Sequence, residues 1–317
     1  MTDFQNQDWL PIHKPTEGKL SQSDLIALQA SFGGKMAGLV LLANEGNGAL
    51  EVPPGIGLRH DVVAWVDSVD AGPSLLDQLT EETLLPALDR LRGCSAGKPK
   101  YARLVVRSSG NLEDGTESGF PGVFDTVTGV TPDTYSVVRA VRRVLMSSRT
   151  ENVQAYCANQ GIPFSSIKMA CVIQWEVQGA LSGVAMTSTN NAVCDQYVLL
   201  NFARGQCGTV VDGKSNNEIV FTKDEPVVAV SANCRDFDSL FWNGREPFKE
   251  FAERTEAAPF SLQTLAEVVR KCVIVERLER FRRPMDVEWT VDHEGDIYIL
   301  QARPIVHHQA IALQPGM

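Results

Sequence analysis

Four polar residues near the end of the chain have the types and spacing needed to bind a metal ion and a phosphate group together. Asp286 and Glu288 alternate with apolar residues, so both carboxylates are predicted to lie on one face of a strand. The segment 292–296 is typical of a turn, and folding about its middle brings Gln301 opposite Glu288, with Arg303 next along. Carboxylate and amide oxygens suit Mg²⁺, and a guanidinium binds phosphate oxygens bidentately. The hairpin is therefore a candidate site for a metal-bound polyphosphate.

Two earlier segments could contact the same ligand. Gly33-Gly34-Lys35 allows close backbone approach and supplies an ammonium group at the start of a predicted helix. Arg107 ends a short apolar strand, and Ser108 opens a glycine-rich loop, 108–122, that suits a mobile cover over phosphates. Each segment also has an ordinary explanation: a surface lysine after a turn, a solvent-exposed loop, and a hairpin whose charges face water. Together they indicate metal-assisted phosphoryl transfer.

Composition and charge disfavour several classes of function. The chain has 317 residues and a net charge of −10, with its basic residues scattered, so a nucleic-acid or anionic-membrane partner is disfavoured. The first five residues carry no targeting pattern and no apolar stretch approaches membrane-spanning length, so we expect a cytoplasmic protein. The 7 cysteines are dispersed and are predicted to be reduced core residues, and none of the 5 histidines has metal-ligand spacing to a cysteine.

The order of the predicted elements indicates an α+β fold with two lobes. Residues 1–20 are expected to be irregular, and from about residue 167 the pattern changes from helical to strand-like. Helices are predicted near 21–32, 36–42, 74–92, 131–145 and 261–281, and strands near 104–106, 167–175, 182–187, 197–202, 218–222 and 227–230. We predict an N-terminal lobe of residues 1–175 and a C-terminal lobe of residues 176–317, which form one composite binding domain.

These segments, in this order, resemble the N-terminal nucleotide-binding domain of pyruvate phosphate dikinase and phosphoenolpyruvate synthase. That domain is a branch of the ATP-grasp fold, with two lobes of mixed or antiparallel sheet around a nucleotide cleft, and rifampicin phosphotransferases share it. The resemblance spans about residues 30–306. It rests on Gly33-Gly34-Lys35, Val52-Pro53-Pro54-Gly55, Arg107-Ser108-Ser109, Glu113-Asp114, Ser182-Gly183-Val184, Thr187, Pro284, Asp286-Val287-Glu288-Trp289 and Leu300-Gln301-Ala302-Arg303-Pro304-Ile305.

The resemblance implies a role for each matching residue. The phosphates of ATP would be contacted by the catalytic residues Lys35, Arg107 and Arg303, with Ser108 beside them. Mg²⁺ would be held by Glu288 and Gln301, with Asp286 close to the nucleotide. Adenine would meet the hinge that contains Gln174, Glu176 and Val177. Gly119 and Gly122 would belong to the lid over the triphosphate.

The resemblance also implies a reaction. In this family the domain cleaves ATP to AMP, and the phosphoryl group passes to a histidine on a separate swivelling domain. No segment here resembles that histidine domain, so we expect a separate phosphohistidine carrier protein or a small-molecule acceptor. The segment 204–213 lacks a glutamate that the family often has there. Two alternatives stay open: a ligase or kinase that releases ADP through an acyl phosphate, and a nucleotide-binding regulator without catalysis.

Overall fold

Two antiparallel sheets organise the protein. The computed structural model describes residues 7–13, 19–46, 48–68, 80–94, 102–111, 113, 123–188, 196–206, 217–226, 228–232, 262–278 and 280–305. The first sheet has the strand order β1-β2-β5-β3-β4. Its strands are β1 (Trp9–Pro11), β2 (Gly55–Leu58), β3 (Leu104–Gly110), β4 (Thr126–Val130) and β5 (Met169–Trp175).

The second sheet contains the hairpin that the sequence analysis singled out. Its strand order is β11-β10-β6-β7-β8-β9. The strands are β6 (Gly179–Met186), β7 (Tyr197–Arg204), β8 (Asn217–Thr222), β9 (Val228–Ala232), β10 (Met285–Asp292) and β11 (Ile297–Pro304). The chain crosses from the first sheet to the second between Trp175 and Gly179. The predicted α+β class is confirmed, and the division at residue 175 stays a prediction.

Six α-helices pack against the sheets within the described residues. They are α1 (Gln22–Glu45), α2 (His60–Ser68), α3 (Leu85–Cys94), α4 (Thr134–Ser147), α5 (Glu151–Gln160) and α6 (Leu262–Arg277). The start of α1 follows from its sequence, because Ser21 and Asp24 form a reciprocal capping box. Pro86 lies in the first turn of α3, and a π-helical turn, Thr80–Leu84, directly precedes that helix. The change from π-helical to α-helical structure therefore falls beside the proline, which has no N–H to donate.

The buried apolar side chains form two clusters. The first lies between the first sheet and helices α2, α3 and α4, and includes Val63, Leu88 and Val141. The second joins α1 and α6 to the second sheet, and includes Phe32 and Val268. Helix α1 precedes most of the first sheet in sequence but packs in the cluster of the second. It therefore links the two sheets.

Helix α1 corrects one expectation from the sequence. Its 24 residues are long and apolar enough, by length and composition alone, to cross a membrane, although no such stretch was predicted. Half of its most apolar window is buried inside the protein, and Leu28, Phe32 and Leu39 are fully or almost fully buried in the second cluster. The core helix of a globular domain passes the same test of length and composition.

The expectation of irregular structure through residue 20 is wrong. Trp9–Pro11 forms β1 and pairs with β2. Strand β2 was also missed, because its sequence, Gly-Ile-Gly-Leu, has low strand propensity. The glycine at position 57 has a packing reason: a Cβ there would come within 2.9 Å of the sulfur of Met36 on α1. Close approach of the helix, rather than local propensity, explains the residue.

The described cysteines agree with the prediction of reduced thiols. Cys94, Cys157, Cys171 and Cys272 are free, and all but Cys94 are buried. Burial raises the pKa of the Cys171 thiol, and the nearby Glu113 carboxylate adds to the effect. The thiol therefore stays protonated and acts as a small core residue.

A kink at Gly33 positions the lysine that follows it. Gly33 has φ 81° and ψ 173° inside α1. In an unbroken helix the amide of Met36 would donate to the carbonyl of Phe32. Here the hydroxyl of Ser109 lies between them, accepting from the Met36 amide at 3.1 Å and donating to the Phe32 carbonyl at 2.7 Å. The end of β3 thus enters the helical hydrogen-bond ladder and fixes the half of α1 that carries Lys35.

Gly33→Ala is expected to lower the free energy of unfolding by about 3 kcal/mol or more, because this conformation is almost restricted to glycine and a Cβ would overlap the Ser109 carbonyl. Gly48→Ala is the matched control: φ is also positive, at 77°, but nothing lies within 4 Å of the added Cβ. It should cost only about 1–2 kcal/mol of backbone strain. Urea denaturation measures both, and equal losses would contradict the close packing of Gly33 against β3.

Candidate functional site

Arg107 reaches from the first sheet to the hairpin of the second. Its Nη2 donates to Oε2 of Glu288 at 3.0 Å and to Oε1 of Gln301 at 2.6 Å. The register confirms the predicted pairing of Glu288 with Gln301. On the other face of β10, Val287 and Trp289 are fully buried in the second apolar cluster. This apolar face anchors the hairpin and turns its polar face toward Arg107.

A β-bulge in the hairpin supplies a third acceptor. The pairing of β10 with β11 is regular up to Glu288 and Gln301 and then skips one residue, which leaves Leu300 as the extra residue of β11. The Leu300 carbonyl accepts from Nη1 of Arg107 at 2.7 Å. Simple alternation along the strand does not predict this bulge. The guanidinium is therefore held by two side-chain oxygens and one backbone oxygen from the same hairpin.

Asp286 and Arg303 form a second ion pair on the hairpin, and they lie opposite each other in its register. Nε and Nη2 of Arg303 donate to one oxygen of Asp286, at 2.8 and 2.7 Å. Burial raises the pKa of Asp286, an effect that Arg303 opposes and the neighbouring Glu288 reinforces. The arginine is about one-third exposed, so it can reach a ligand over the hairpin.

Lys35 lies beside the C-terminal part of β3, where its side chain contacts Ser108. Its Nζ donates to Oγ of Ser108 at 3.0 Å and forms an ion pair with Oε1 of Glu113. The Ser108 hydroxyl also donates to Oε1 of Glu113 at 3.0 Å, and the amide of Gly110 donates to Oε2 at 2.5 Å. Glu113 is 3% exposed. A single buried carboxylate thus holds the lysine, the strand end and the first turn of the loop.

Glu113 is the site residue to which the sequence analysis gave no role. It belongs to the matching segment Glu113-Asp114, but its contacts depend on the fold, since Lys35 is 78 positions away. The prediction that Arg107 ends its strand and that Ser108 opens a loop is wrong, because β3 runs on to Gly110 through its pairing with β5. A carboxylate six residues after an arginine is a weak pattern by itself. The kink in α1 is what brings the lysine to it.

In the structure, two side chains of the predicted adenine hinge make hydrogen bonds to the protein backbone. Gln174 lies opposite Val105 on β3, two residues along from Arg107 and on the same face of the sheet. Its side-chain amide donates to the Pro53 carbonyl at 3.0 Å, and the Glu176 carboxylate accepts from the Gly129 amide at 2.8 Å. These two side chains support the local backbone, and contact of the segment with adenine stays a prediction.

Val177 of the same segment is 7% exposed and packs in the first apolar cluster. Gly119 and Gly122, predicted for the lid, lie outside the described residues. Most of the segment 204–213 lies outside them as well, so the effect of its missing glutamate stays open.

Each of three cations, on α1, β3 and β11, pairs with a carboxylate, so their charges are compensated. The pairs are Lys35 with Glu113, Arg107 with Glu288, and Arg303 with Asp286. A polyphosphate could exchange with these carboxylates, because its oxygens accept the same charge-assisted hydrogen bonds. The donor set also fits Mg²⁺, since a carboxylate oxygen and a carboxamide oxygen converge on one nitrogen, Nη2 of Arg107. The arrangement suits a metal-bound polyphosphate.

Comparison with known proteins agrees with the sequence motifs. The family model for the pyruvate phosphate dikinase AMP/ATP-binding domain matches residues 74–315, which is more than half of the chain. The chain is 30% identical over 227 residues to a rifampicin phosphotransferase of Streptomyces sviceus, and 27% identical over 220 residues to a phosphoenolpyruvate synthase of Escherichia coli. A probable phosphoenolpyruvate synthase of Staphylothermus marinus is 24% identical over 328 residues.

These relatives are longer than the matched region. The three alignments cover 71%, 64% and 86% of this chain, but 25%, 27% and 39% of the respective relatives. The chain therefore spans about a quarter to two-fifths of their length.

A double-mutant cycle tests the buried ion pair without any assumption about function. Lys35→Met and Glu113→Gln should each destabilise the protein, because each leaves a buried charge unpaired. The double variant should lose less than the sum of the two, with a coupling free energy of about 1–3 kcal/mol in urea denaturation.

The exposed pair of Arg143 and Asp125, 66% and 47% exposed, is the matched control. The cycle of Arg143→Met with Asp125→Asn should give a coupling below about 1 kcal/mol. The same coupling in both cycles would contradict the assigned burial of the pair of Lys35 and Glu113.

Proposed function

The chain belongs to the family of the pyruvate phosphate dikinase AMP/ATP-binding domain, and from this membership we propose that it is an ATP- and Mg²⁺-dependent phosphotransferase of the dikinase type. ATP would be cleaved to AMP: its β-phosphoryl group would pass to a carrier histidine in a separate protein or directly to a small molecule, and its γ-phosphoryl group would pass to water as inorganic phosphate. The observation that carries the proposal is the convergence of Glu288 and Gln301 on Arg107, beside two further paired cations.

Lys35, Arg107 and Arg303 would bind the phosphates, with Ser108 beside them. Each cation already donates to a carboxylate, so phosphate oxygens would replace carboxylate oxygens without leaving a cation uncompensated. Arginine suits this exchange, because its planar fork matches carboxylate and phosphate oxygens alike. The family membership and the paired cations support this assignment.

Glu288 and Gln301 would hold Mg²⁺, with Asp286 close by. When bound, the metal would withdraw negative charge from the phosphate oxygens and favour attack on phosphorus. Gln301 is 6% exposed, so its oxygen offers a fixed position. Glu288 would supply the negatively charged ligand, so its replacement should weaken Mg²⁺ binding more than replacement of Gln301.

The residues of the chain would contribute mainly by orientation and charge compensation. Lys35 and Arg107 would neutralise the charge that develops on the transferred group, in positions fixed by Ser108, Ser109 and the hairpin. The segment around Gln174, Glu176 and Val177 would hold adenine, and Gly119 and Gly122 would cover the triphosphate. Fixed cations of this kind need no reorganisation when the charge appears, which lowers the barrier.

The proposals for the phosphoryl acceptor and for the cellular location rest on the names of the relatives and on the net charge. One relative is named as a phosphotransferase for rifampicin and another as a synthase of phosphoenolpyruvate, so rifampicin and the unphosphorylated precursor of phosphoenolpyruvate are starting points for the acceptor. The net charge of −10 supports a protein that does not bind nucleic acid or an anionic membrane, and we propose a cytoplasmic location.

Product analysis tests the proposal. The full chain is incubated with Mg²⁺ and ATP labelled at the β-phosphate, alone and with rifampicin or a histidine carrier protein. AMP should be the nucleotide product, and the label should appear in the acceptor or in inorganic phosphate. Release of ADP would instead identify a ligase or kinase, and binding without turnover would identify a regulator.

Glu288→Gln should lower Mg²⁺-dependent turnover by about 100-fold or more, because it removes the charged metal ligand but keeps an oxygen for Arg107. Glu294→Gln is the matched control, since it removes the same charge from an exposed position in the turn of the same hairpin. Its turnover should equal that of the wild type. Steady-state kinetics give the comparison, and circular dichroism checks the fold. Full activity of folded Glu288→Gln would refute the metal-ligand assignment.

A further inference from the structure

Arg107 stands where the two proposed metal ligands converge. Its Nη2 is 3.0 Å from Oε2 of Glu288 and 2.6 Å from Oε1 of Gln301. A cation that binds both oxygens must therefore take the place of this nitrogen. The side chains of Arg107 and Glu288 are 12% and 21% exposed, so water offers the arginine little competing solvation at this position. Metal binding and the present position of Arg107 exclude each other.

The hairpin holds the guanidinium in this position with a third bond. The Leu300 carbonyl, which the bulge leaves as an extra acceptor, lies 2.7 Å from Nη1 of Arg107. Together the three acceptors engage both terminal nitrogens of the guanidinium. An arginine side chain stays protonated at all ordinary pH values, so it cannot yield to a metal by losing its charge.

We propose that Arg107 makes this site selective for the metal–nucleotide complex over the free divalent cation. A free cation carries no anion to which the guanidinium could move, so it would have to leave Arg107 uncompensated beside a second positive charge. A polyphosphate offers oxygens to Arg107 and thereby releases Glu288 and Gln301 to the metal that it carries. The inference rests on the proposed function, because it takes these two residues as metal ligands.

Neither Glu113 nor Asp286 can accept hydrogen bonds from Arg107 without weakening an ion pair that it already forms. Glu113 is engaged by Lys35, Ser108 and the Gly110 amide. Asp286 is engaged by Arg303. Moving Arg107 onto either carboxylate would disturb another ion pair, so the incoming phosphate is the acceptor that leaves every cation paired.

The consequence is a reciprocal coupling between metal and nucleotide. If the nucleotide frees the ligands of the metal, then the metal must strengthen nucleotide binding by the same factor. Such couplings commonly amount to about 5–150-fold in affinity. The site would thus stay closed to the free Mg²⁺ that every cell contains.

The test uses Mn²⁺ as a probe, in the absence of nucleotide, with the full chain. Electron paramagnetic resonance measures the free Mn²⁺ that remains in solution. Arg107→Met should gain one Mn²⁺ site per chain, bound at least about 10-fold more tightly than any Glu288-dependent site of the wild type. Adding Glu288→Gln to Arg107→Met should abolish the gain.

Two controls separate the site from general charge effects. Arg143→Met makes the same change in net charge at an exposed position, and it should bind Mn²⁺ as the wild type does. The acidic turn of Asp292, Glu294 and Asp296 is present in every variant, so any weak binding there cancels in the comparison. Arg107→Gln, which keeps a side-chain donor, serves if Arg107→Met does not fold, and it should show the same gain.

Two results would overturn the inference. One is Glu288-dependent Mn²⁺ binding by the wild type, without nucleotide, that is as tight as the binding by the Arg107 variant. The other is a folded Arg107 variant that gains no Mn²⁺ site. These outcomes are independent of the product analysis: failure to form AMP would refute the dikinase proposal even if the Mn²⁺ gain occurred, whereas AMP formation without the gain would refute only the selectivity of Arg107.

Discussion

The bond network of Arg107 joins the two sheets at the candidate site. This side chain leaves β3 of the first sheet and donates to Glu288, Gln301 and the Leu300 carbonyl of the second. The next two residues extend the junction, since Ser108 bonds with Lys35 and Ser109 enters the kink of α1. Three consecutive residues therefore connect one strand to the hairpin, to a lysine and to a helix. The relative positions of the hairpin, Lys35 and α1 therefore depend on residues 107–109 of β3.

The ion pairs explain how the protein can hold three partly buried cations. Each cation has a carboxylate partner, so none is buried without compensation. The carboxylates also occupy hydrogen-bond donors that phosphate oxygens would otherwise use. When a ligand binds, its phosphate oxygens replace carboxylate oxygens as hydrogen-bond acceptors, so no unpaired charge has to be desolvated. This exchange favours a ligand that carries both phosphate and metal.

The sequence was sufficient for the features that depend on local periodicity. Alternation along β10 and the turn that follows it predict that Gln301 lies opposite Glu288 with Arg303 next along, and the register confirms this placement. The helical and strand-like runs likewise predict the α+β class. The family resemblance grouped Lys35 and Arg107 with the hairpin, although they lie far apart in sequence.

Features that depend on close packing between distant segments could not be predicted in this way. The bulge at Leu300 interrupts a regular alternation, and the insertion of Ser109 into α1 requires the contact of a strand with a helix. The role of Glu113 depends on the same contact. Strand β2 was missed because its two glycines have low strand propensity; Gly57 is required by the close approach of Met36 on α1, and Gly55 by the close approach of Gln174 and Ile12. In each case a tertiary contact determines the local structure.

The most direct test of the central claim is a crystal structure of the chain with Mn²⁺ and a non-hydrolysable ATP analogue. The anomalous scattering of Mn²⁺ locates the metal independently of the protein atoms. We expect the anomalous peak within ligand distance of Oε2 of Glu288 and Oε1 of Gln301, with the guanidinium of Arg107 moved onto a phosphate oxygen. A metal bound elsewhere, with Arg107 still bonded to Glu288 and Gln301, would contradict the account.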